Sequence, residues 1–262
     1  MDLNLRGKTA LITGASKGIG RGVAESLAAE GCAVRLVSRS ADMLETAAAE
    51  IREAHGVPVS VHALDITSPG AIEELAGGDL PDILVNNAGA IPAGDIETVD
   101  EETWRNAWDL KVFGYINLTR QVYAAMKQRG SGVICNVTGL AADKHDYNYV
   151  AGTAGNASLN AFTRAIGGVS LEFGVRVFAV SPGPVQTERL IGLLKSRAKQ
   201  DGGSEESWQS YMAGMPMQRA AHVEEVADIV AFNVSERASY LSGTVITVDG
   251  GMGSRGGSFG QK

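Results

Sequence analysis

The chain has 262 residues, 44% of them hydrophobic and 20% charged, with seven prolines, a balance that excludes disordered and fibrous classes and suits one globular domain spanning 1–262. Its formal charge of −7, with no basic cluster longer than a pair, excludes the basic surface that nucleic acid or an anionic membrane would need. No leader-like start and no apolar run of about 20 residues is present, so a cytoplasmic location is expected.

The predicted elements alternate along the chain. A strand over 9–13 runs through a glycine-rich turn into a helix over 19–30, then a strand over 33–38, a helix over 41–54 and a strand over 58–64. A strand over 83–85 follows, then a long helix over 101–129, a strand over 132–137, a helix over 149–172 and a strand over 176–180. A helix over 223–234 and a strand over 244–248 close the pattern. The strands are apolar at consecutive positions, as strands covered by helices on both faces must be. The expected fold is therefore α/β, a single-domain Rossmann-type doubly wound parallel sheet of about seven strands, with all strand C-termini along one edge.

Two stretches break the rhythm. Residues 187–221 carry Gly202, Gly203 and Pro216, yet also Leu190, Leu193, Leu194, Trp208, Tyr211, Met212 and Met215. So many apolar side chains in an insert suggest a lid over a substrate pocket, and they would equally suit a subunit interface. The glycine-rich tail 250–262 is expected to be mobile unless a neighbouring subunit fixes it. Cys32 and Cys135 lie in apolar stretches and are expected to be reduced core thiols. His55, His62, His145 and His222 are too widely spaced to suggest a metal site.

The chemistry is concentrated at strand ends. Thr13-Gly14-Ala15-Ser16-Lys17-Gly18-Ile19-Gly20 joins the first strand to the first helix. Its three glycines permit a tight turn, close backbone approach and close helix packing, while the helix N-terminus offers amides to a pyrophosphate. Asp65-Ile66 follows the third strand, Asn86-Asn87-Ala88-Gly89 the fourth, Ser181-Pro182-Gly183-Pro184-Val185-Gln186-Thr187 the sixth, and Asp249-Gly250-Gly251 the last. Together these motifs, in this order, resemble the short-chain dehydrogenase/reductase family over essentially the whole chain.

That resemblance implies a dinucleotide site formed by Gly14, Ser16, Lys17, Gly18, Ile19 and Gly20. It implies further that Asp65 and Ile66 flank the adenine and that Asn86 and Ala88, with Gly89, adjoin the ribose. Pro182, Gly183, Val185 and Thr187 would lie toward the nicotinamide, and Tyr149 would touch both cofactor and substrate. The nucleotide itself can be read from charge: the second strand ends in Ser38, where a carboxylate would bind the ribose hydroxyls of NAD, and Arg39 follows it. Arg39 and Lys17 can instead grip a 2′-phosphate, so NADP(H) is the expected cofactor.

The family's catalytic tyrosine matches Tyr149, which needs electrostatic help because a free tyrosine titrates near 10. In Tyr149-Val150-Ala151-Gly152-Thr153, threonine stands where the family lysine is expected, and one helical turn should bring Thr153 onto the face of the site. Gly139 stands where the family serine is expected, with Thr138 beside it, and Lys111 replaces a family asparagine. Position 111 has thus gained the charge that 153 lacks, and Lys111 is the candidate to lower the pKa of Tyr149. His145 and Tyr147, with Lys144 in the preceding loop, are further candidates for the pocket.

Three readings follow. The first is an NADP(H)-dependent oxidoreductase that moves a hydride between the nicotinamide and a carbonyl or alcohol carbon of a small, apolar substrate. The second is an NADP(H)-binding sensor or partner subunit without turnover, and the third is an enzyme of altered chemistry such as imine reduction or dehydration. The family pairs through two long helices, here 101–129 and 149–172, so a homotetramer or homodimer is expected; Gly155, Ala157, Ser158 and Ala161 permit close helix approach, in that pairing or in internal packing.

Overall fold

The computed structural model describes residues 1–255; residues 256–262 of the expected mobile tail lie outside the described residues. Seven strands form one parallel sheet: β1 Thr9–Thr13, β2 Ala33–Ser38, β3 Val59–Ala63, β4 Ile83–Asn86, β5 Gly132–Val137, β6 Val175–Pro182 and β7 Val245–Val248. Their order is β3-β2-β1-β4-β5-β6-β7, and every pairing is parallel. The topology reverses between β1 and β4, where crossovers leave toward opposite faces and a crevice opens beyond the carboxyl ends of the strands.

Burial follows from position in the sheet. β4 and β6 are buried at every residue, as central strands with helices on both faces must be. The edge strand β3 tolerates Ser60 and His62. Among the described residues eight α-helices surround the sheet: α1 Gly18–Ala29, α2 Ala41–His55, α3 Ala71–Gly77, α4 Glu101–Trp108, α5 Gly114–Arg129, α6 Val150–Ser170, α7 Glu188–Gln200 and α8 Val223–Val234. One core joins Val23 and Leu27 of α1, Leu44 and Ile51 of α2 and Val230 of α8 to Ile12, Leu36 and Val85 of the sheet. The other joins Leu75 of α3 and Leu118, Val122 and Met126 of α5 to Leu11, Leu84 and Ile134. The alternation of Ile12 and Leu11 between the two cores is the period of two that a strand imposes.

Three features depart from the sequence reading. The helix expected over 101–129 is two helices joined by a π-helical turn over Asp109–Phe113, a wider turn that re-aims the side chains it contains. Residues 187–221 contain α7, capped by Thr187 accepting from the amide of Leu190, followed by 3-10 turns over Glu205–Met212 and Pro216–Gln218. Short α3 has no counterpart in the predicted elements. Gly155 serves internal packing, one of its two expected uses: a Cβ there would lie 3.2 Å from Ile91 and 3.3 Å from Trp108.

Cys32 and Cys135 are both buried free thiols. No helix among the described residues is long and apolar enough to cross a membrane.

Candidate active site

A cleft of about 1560 Å³ runs along the carboxyl ends of the strands. One end is the loop from β1 to α1. There Gly14 (φ +67°) and Gly18 (φ +58°) take left-handed conformations that favour glycine. A Cβ on Gly14 would lie 2.9 Å from the Cα of Ala88, so only glycine lets the two strand-end segments meet. The Thr13 hydroxyl locks that meeting by accepting from the amides of Asn87 at 2.9 Å and Ala88 at 3.0 Å. No side chain among the described residues caps the start of α1, which leaves its first-turn amides available to an anion.

Gly14, Ser16, Lys17, Gly18, Ile19, Ala88 and Gly89 line the cleft; Gly20 and Asn86 do not. A Cβ on Gly20 would run into the Gly14 carbonyl, so that glycine serves the packing of helix on loop. Asn86 turns beneath the floor, donating to the Thr119 hydroxyl at 3.0 Å and to Oδ1 of Asn136 at 2.9 Å, and Asn136 donates to Thr163 at 2.9 Å. This buried polar chain ties β4 and β5 to α5 and α6 below the cleft, while Asn87 faces it.

The rim carries the expected cations. Ser38, Arg39 and Asp65 border the cleft with Ile66. Arg39 lies 3.6 Å from the Asp65 carboxylate, and the Lys17 ammonium lies 3.0 Å from Glu188 at the start of α7. Burial pushes the Asp65 carboxyl up, but hydrogen bonds from Thr67 and the Arg39 charge outweigh it and hold it below its ordinary value. Both cations are exposed, so exposed pairs of this kind contribute little to stability and can be exchanged for a phosphate.

At the other end stand Tyr149, Lys111 and the end of β5, with Pro182, Gly183, Val185 and Thr187 along the β6 side. The π-turn directs Lys111 inward, where its Nζ donates to the Thr138 carbonyl at 3.3 Å. Its stem lies against Gly89, where a Cβ would come within 2.8 Å of the lysine Cδ. Burial, aided by the charge of Arg189, lowers its ammonium from the ordinary 10.5 to about 8. Burial also raises the Tyr149 hydroxyl, while the charge of Arg189 pulls it part of the way down. The cation that acts on Tyr149 in this structure is therefore Arg189, which is itself held by the carbonyls of Gly89 and Ile91.

Other expected positions fall elsewhere. Thr153 does not line the cleft; its hydroxyl accepts from the Asp146 amide at 3.4 Å. Thr138 lines the cleft, with its hydroxyl donating to the Val180 carbonyl at 3.4 Å. His145 and Lys144 reach the cleft, whereas Tyr147 does not and is 65% exposed. Sequence reasoning missed Arg189 and Asn156, both of which line the cleft. Arg189 sits in the insert, where no spacing marks it. Asn156 is found only through the fold: a Cβ on Gly152 would overlap the ring of Tyr149, and one turn from 152 leads to 156.

Comparison with known proteins gives a consistent picture. The family described as enoyl-(acyl carrier protein) reductase matches residues 14–253. The chain is 31% identical over 259 residues to the 3-oxoacyl-acyl-carrier-protein reductase of Escherichia coli, covering 95% of this chain and 99% of that one. It is 30% identical over 253 residues to the 2,3-dihydro-2,3-dihydroxybenzoate dehydrogenase of Bacillus subtilis, covering 94% and 96%. Among solved structures, the L-sorbose reductase of Gluconobacter frateurii, complexed with NADPH and L-sorbose, superposes with a TM-score of 0.91 at 33% identity over 97% of this chain and 100% of that one. The match spans the phosphate loop, the cleft and the last strand, and the chain belongs to the short-chain dehydrogenase/reductase family of oxidoreductases.

Proposed function

We propose that the protein uses NADP(H) to interconvert a carbonyl, or an imine, with the corresponding alcohol or amine on a small, largely apolar substrate, with Tyr149 as the acid/base. The observation that carries this reading is a single cleft lined at one end by the glycine loop with Lys17 and Arg39, and at the other by Tyr149 and Lys111. Fit to the cofactor is supported by the start of α1, where no side chain caps the first-turn amides and Gly14 and Gly18 line the cleft. Choice of the phosphorylated nucleotide rests on Ser38 and Arg39 at the end of β2, where the chain itself has no carboxylate, with a 2′-phosphate taking the place of Asp65 on Arg39. NADPH in the sorbose reductase complex supports the same choice.

When bound, the nicotinamide supplies or accepts the hydride. Tyr149 gives a proton to the substrate oxygen in reduction and takes it in oxidation. Arg189 opposes, in part, the burial that raises the hydroxyl above its ordinary value. Lys111, titrating near neutrality, takes over part of the role of the lysine missing at Thr153 as a cation and proton source at the cleft floor. Leu190, Leu193 and Leu194 of α7 face the cleft and form the lid that excludes water from an apolar substrate. The protein acts as a homotetramer or homodimer through α5 and α6.

The raised pKa of Tyr149 and the absence of a side chain at Gly139 favour one second reading, a cofactor-binding sensor or partner subunit without turnover. Oxidation of NADPH with a panel of ketones, enones and imines separates the two. Turnover that Lys111→Met removes while NADPH still binds supports the enzyme, and tight binding with no oxidation by any substrate supports the sensor.

A further inference from the structure

The helix α6 enters the cleft in a register that the position of Tyr149 in the chain does not suggest. Because a Cβ on Gly152 would overlap the tyrosine ring, that ring occupies the place of a side chain at position 152. One helical turn on from 152 is Asn156, not Thr153. Thr153 is engaged with the Asp146 amide, whereas Asn156 lines the cleft and is only 2% exposed. Its Nδ2 donates to the Gly152 carbonyl at 2.8 Å, but its Oδ1 accepts no hydrogen bond among the described residues. A buried amide oxygen left in this state calls for a donor.

Lys111 offers a donor at the same strand end, since it too lines the cleft. Lys111 Nζ is anchored on the Thr138 carbonyl, which uses one of its three N–H groups. Asn156 stands beside the very next residue: a Cβ on Gly139 would lie 3.4 Å from its Nδ2 and 3.5 Å from its Oδ1. With glycine at 139, no side chain comes between the two groups at the end of β5. The family resemblance places an asparagine at 111 and a lysine four residues beyond the tyrosine; measured from the ring's place over 152, this chain carries lysine at 111 and asparagine at 156.

We infer that Lys111 and Asn156 are one functional pair in which the usual lysine and asparagine have exchanged places. Asn156 is the positioning residue: its Oδ1 accepts from the Lys111 ammonium through one water and fixes that cation beside the substrate end of the cleft. The consequence for turnover rests on the Tyr149 reading above, whereas the pairing itself does not.

The test is a swap cycle of wild type, Asn156→Lys, Lys111→Asn and the double variant, read by thermal unfolding and by NADPH oxidation. Asn156→Lys alone places two ammonium groups at the end of β5 and lowers the melting temperature. Adding Lys111→Asn should recover most of that loss, and more than Lys111→Asn changes the wild type. Turnover should fall about 100-fold in each single variant and return to within about tenfold of wild type in the double. Additive changes in melting temperature, or a double variant no more active than the singles, overturn the pairing. If Asn156→Lys does not fold, Lys111→Met and Asn156→Leu complete the same cycle, and additivity there overturns it equally. A wild type that oxidises NADPH with no substrate removes the oxidoreductase reading alone, since the melting temperatures still decide the pair.

Discussion

Replacing Lys111 with methionine should stabilise the fold while abolishing turnover, and the size of the gain follows from the site. Burial holds the ammonium at about 8 against an ordinary 10.5, which corresponds to about 3 kcal/mol of unfavourable free energy for keeping it charged at pH 7. Methionine removes that penalty at similar length but leaves the Thr138 carbonyl without its donor, which returns about 1 kcal/mol. The net gain of about 2 kcal/mol raises the melting temperature by roughly 4 °C for a domain of this size. The sign with pH is fixed by linkage. The unfolded lysine binds its proton below about 10.5 and the folded one only below about 8, so between these values the unfolded chain holds more protons and wild-type stability rises with pH. The advantage of the variant is therefore full at pH 7 and nearly gone by about pH 9.5. Calorimetric unfolding of both proteins at these two pH values checks the argument. A variant no more stable at pH 7, or a gap that stays constant with pH, would refute the claim that Lys111 is charged against a desolvation penalty.

Four further outcomes are expected. Arg39→Ala should weaken NADPH binding about 10- to 100-fold, the worth of a charge-assisted phosphate contact, and leave NADH binding unchanged in a fluorescence titration. Gly152→Ala, a change that ordinarily favours a helix interior, should instead destabilise the protein by about 1 kcal/mol or more, because the new methyl displaces the Tyr149 ring; urea unfolding measures it. Arg189→Leu removes the group that holds the Tyr149 hydroxyl down, so the pH limb for alcohol oxidation should move to higher pH, as a pH–rate profile would show. Burial pushes the Cys32 thiol up to about 12 and Cys135 higher still, so neither should react with a disulfide reagent at pH 8 until the protein is unfolded.

Much of the fold is legible in the sequence because the strands are bounded and buried on both sides. Strands over 9–13, 33–38 and 132–137 are found with those bounds, since a short apolar run between turn residues leaves little choice of ends. The π-turn at Asp109–Phe113 is not legible, for its residues carry the same helical pattern as their neighbours and only the cleft explains the wider turn. α7 is hidden because an insert of leucines reads as a lid whether or not it is helical. α3 is a short helix of seven residues, too brief for a periodic signal.

The site divides in the same way. Glycines at 14 and 18 announce the phosphate loop because backbone conformation is encoded locally, by residue type. The support of Tyr149 is encoded by tertiary contacts: a ring folded over Gly152, a lysine brought in by a wide turn, and an arginine reaching back from the insert to the Gly89 and Ile91 carbonyls. Counting four residues from the tyrosine therefore leads to Thr153, when the side chain that faces the cleft is Asn156.

The most direct test of the central claim is calorimetric titration of the purified protein with NADPH and with NADH. Gripping of a phosphorylated dinucleotide by the α1 amides, Lys17 and Arg39 predicts saturable heat with NADPH and binding at least about tenfold weaker for NADH. Equal affinity for the two nucleotides, tighter binding of NADH, or no heat with either would contradict it.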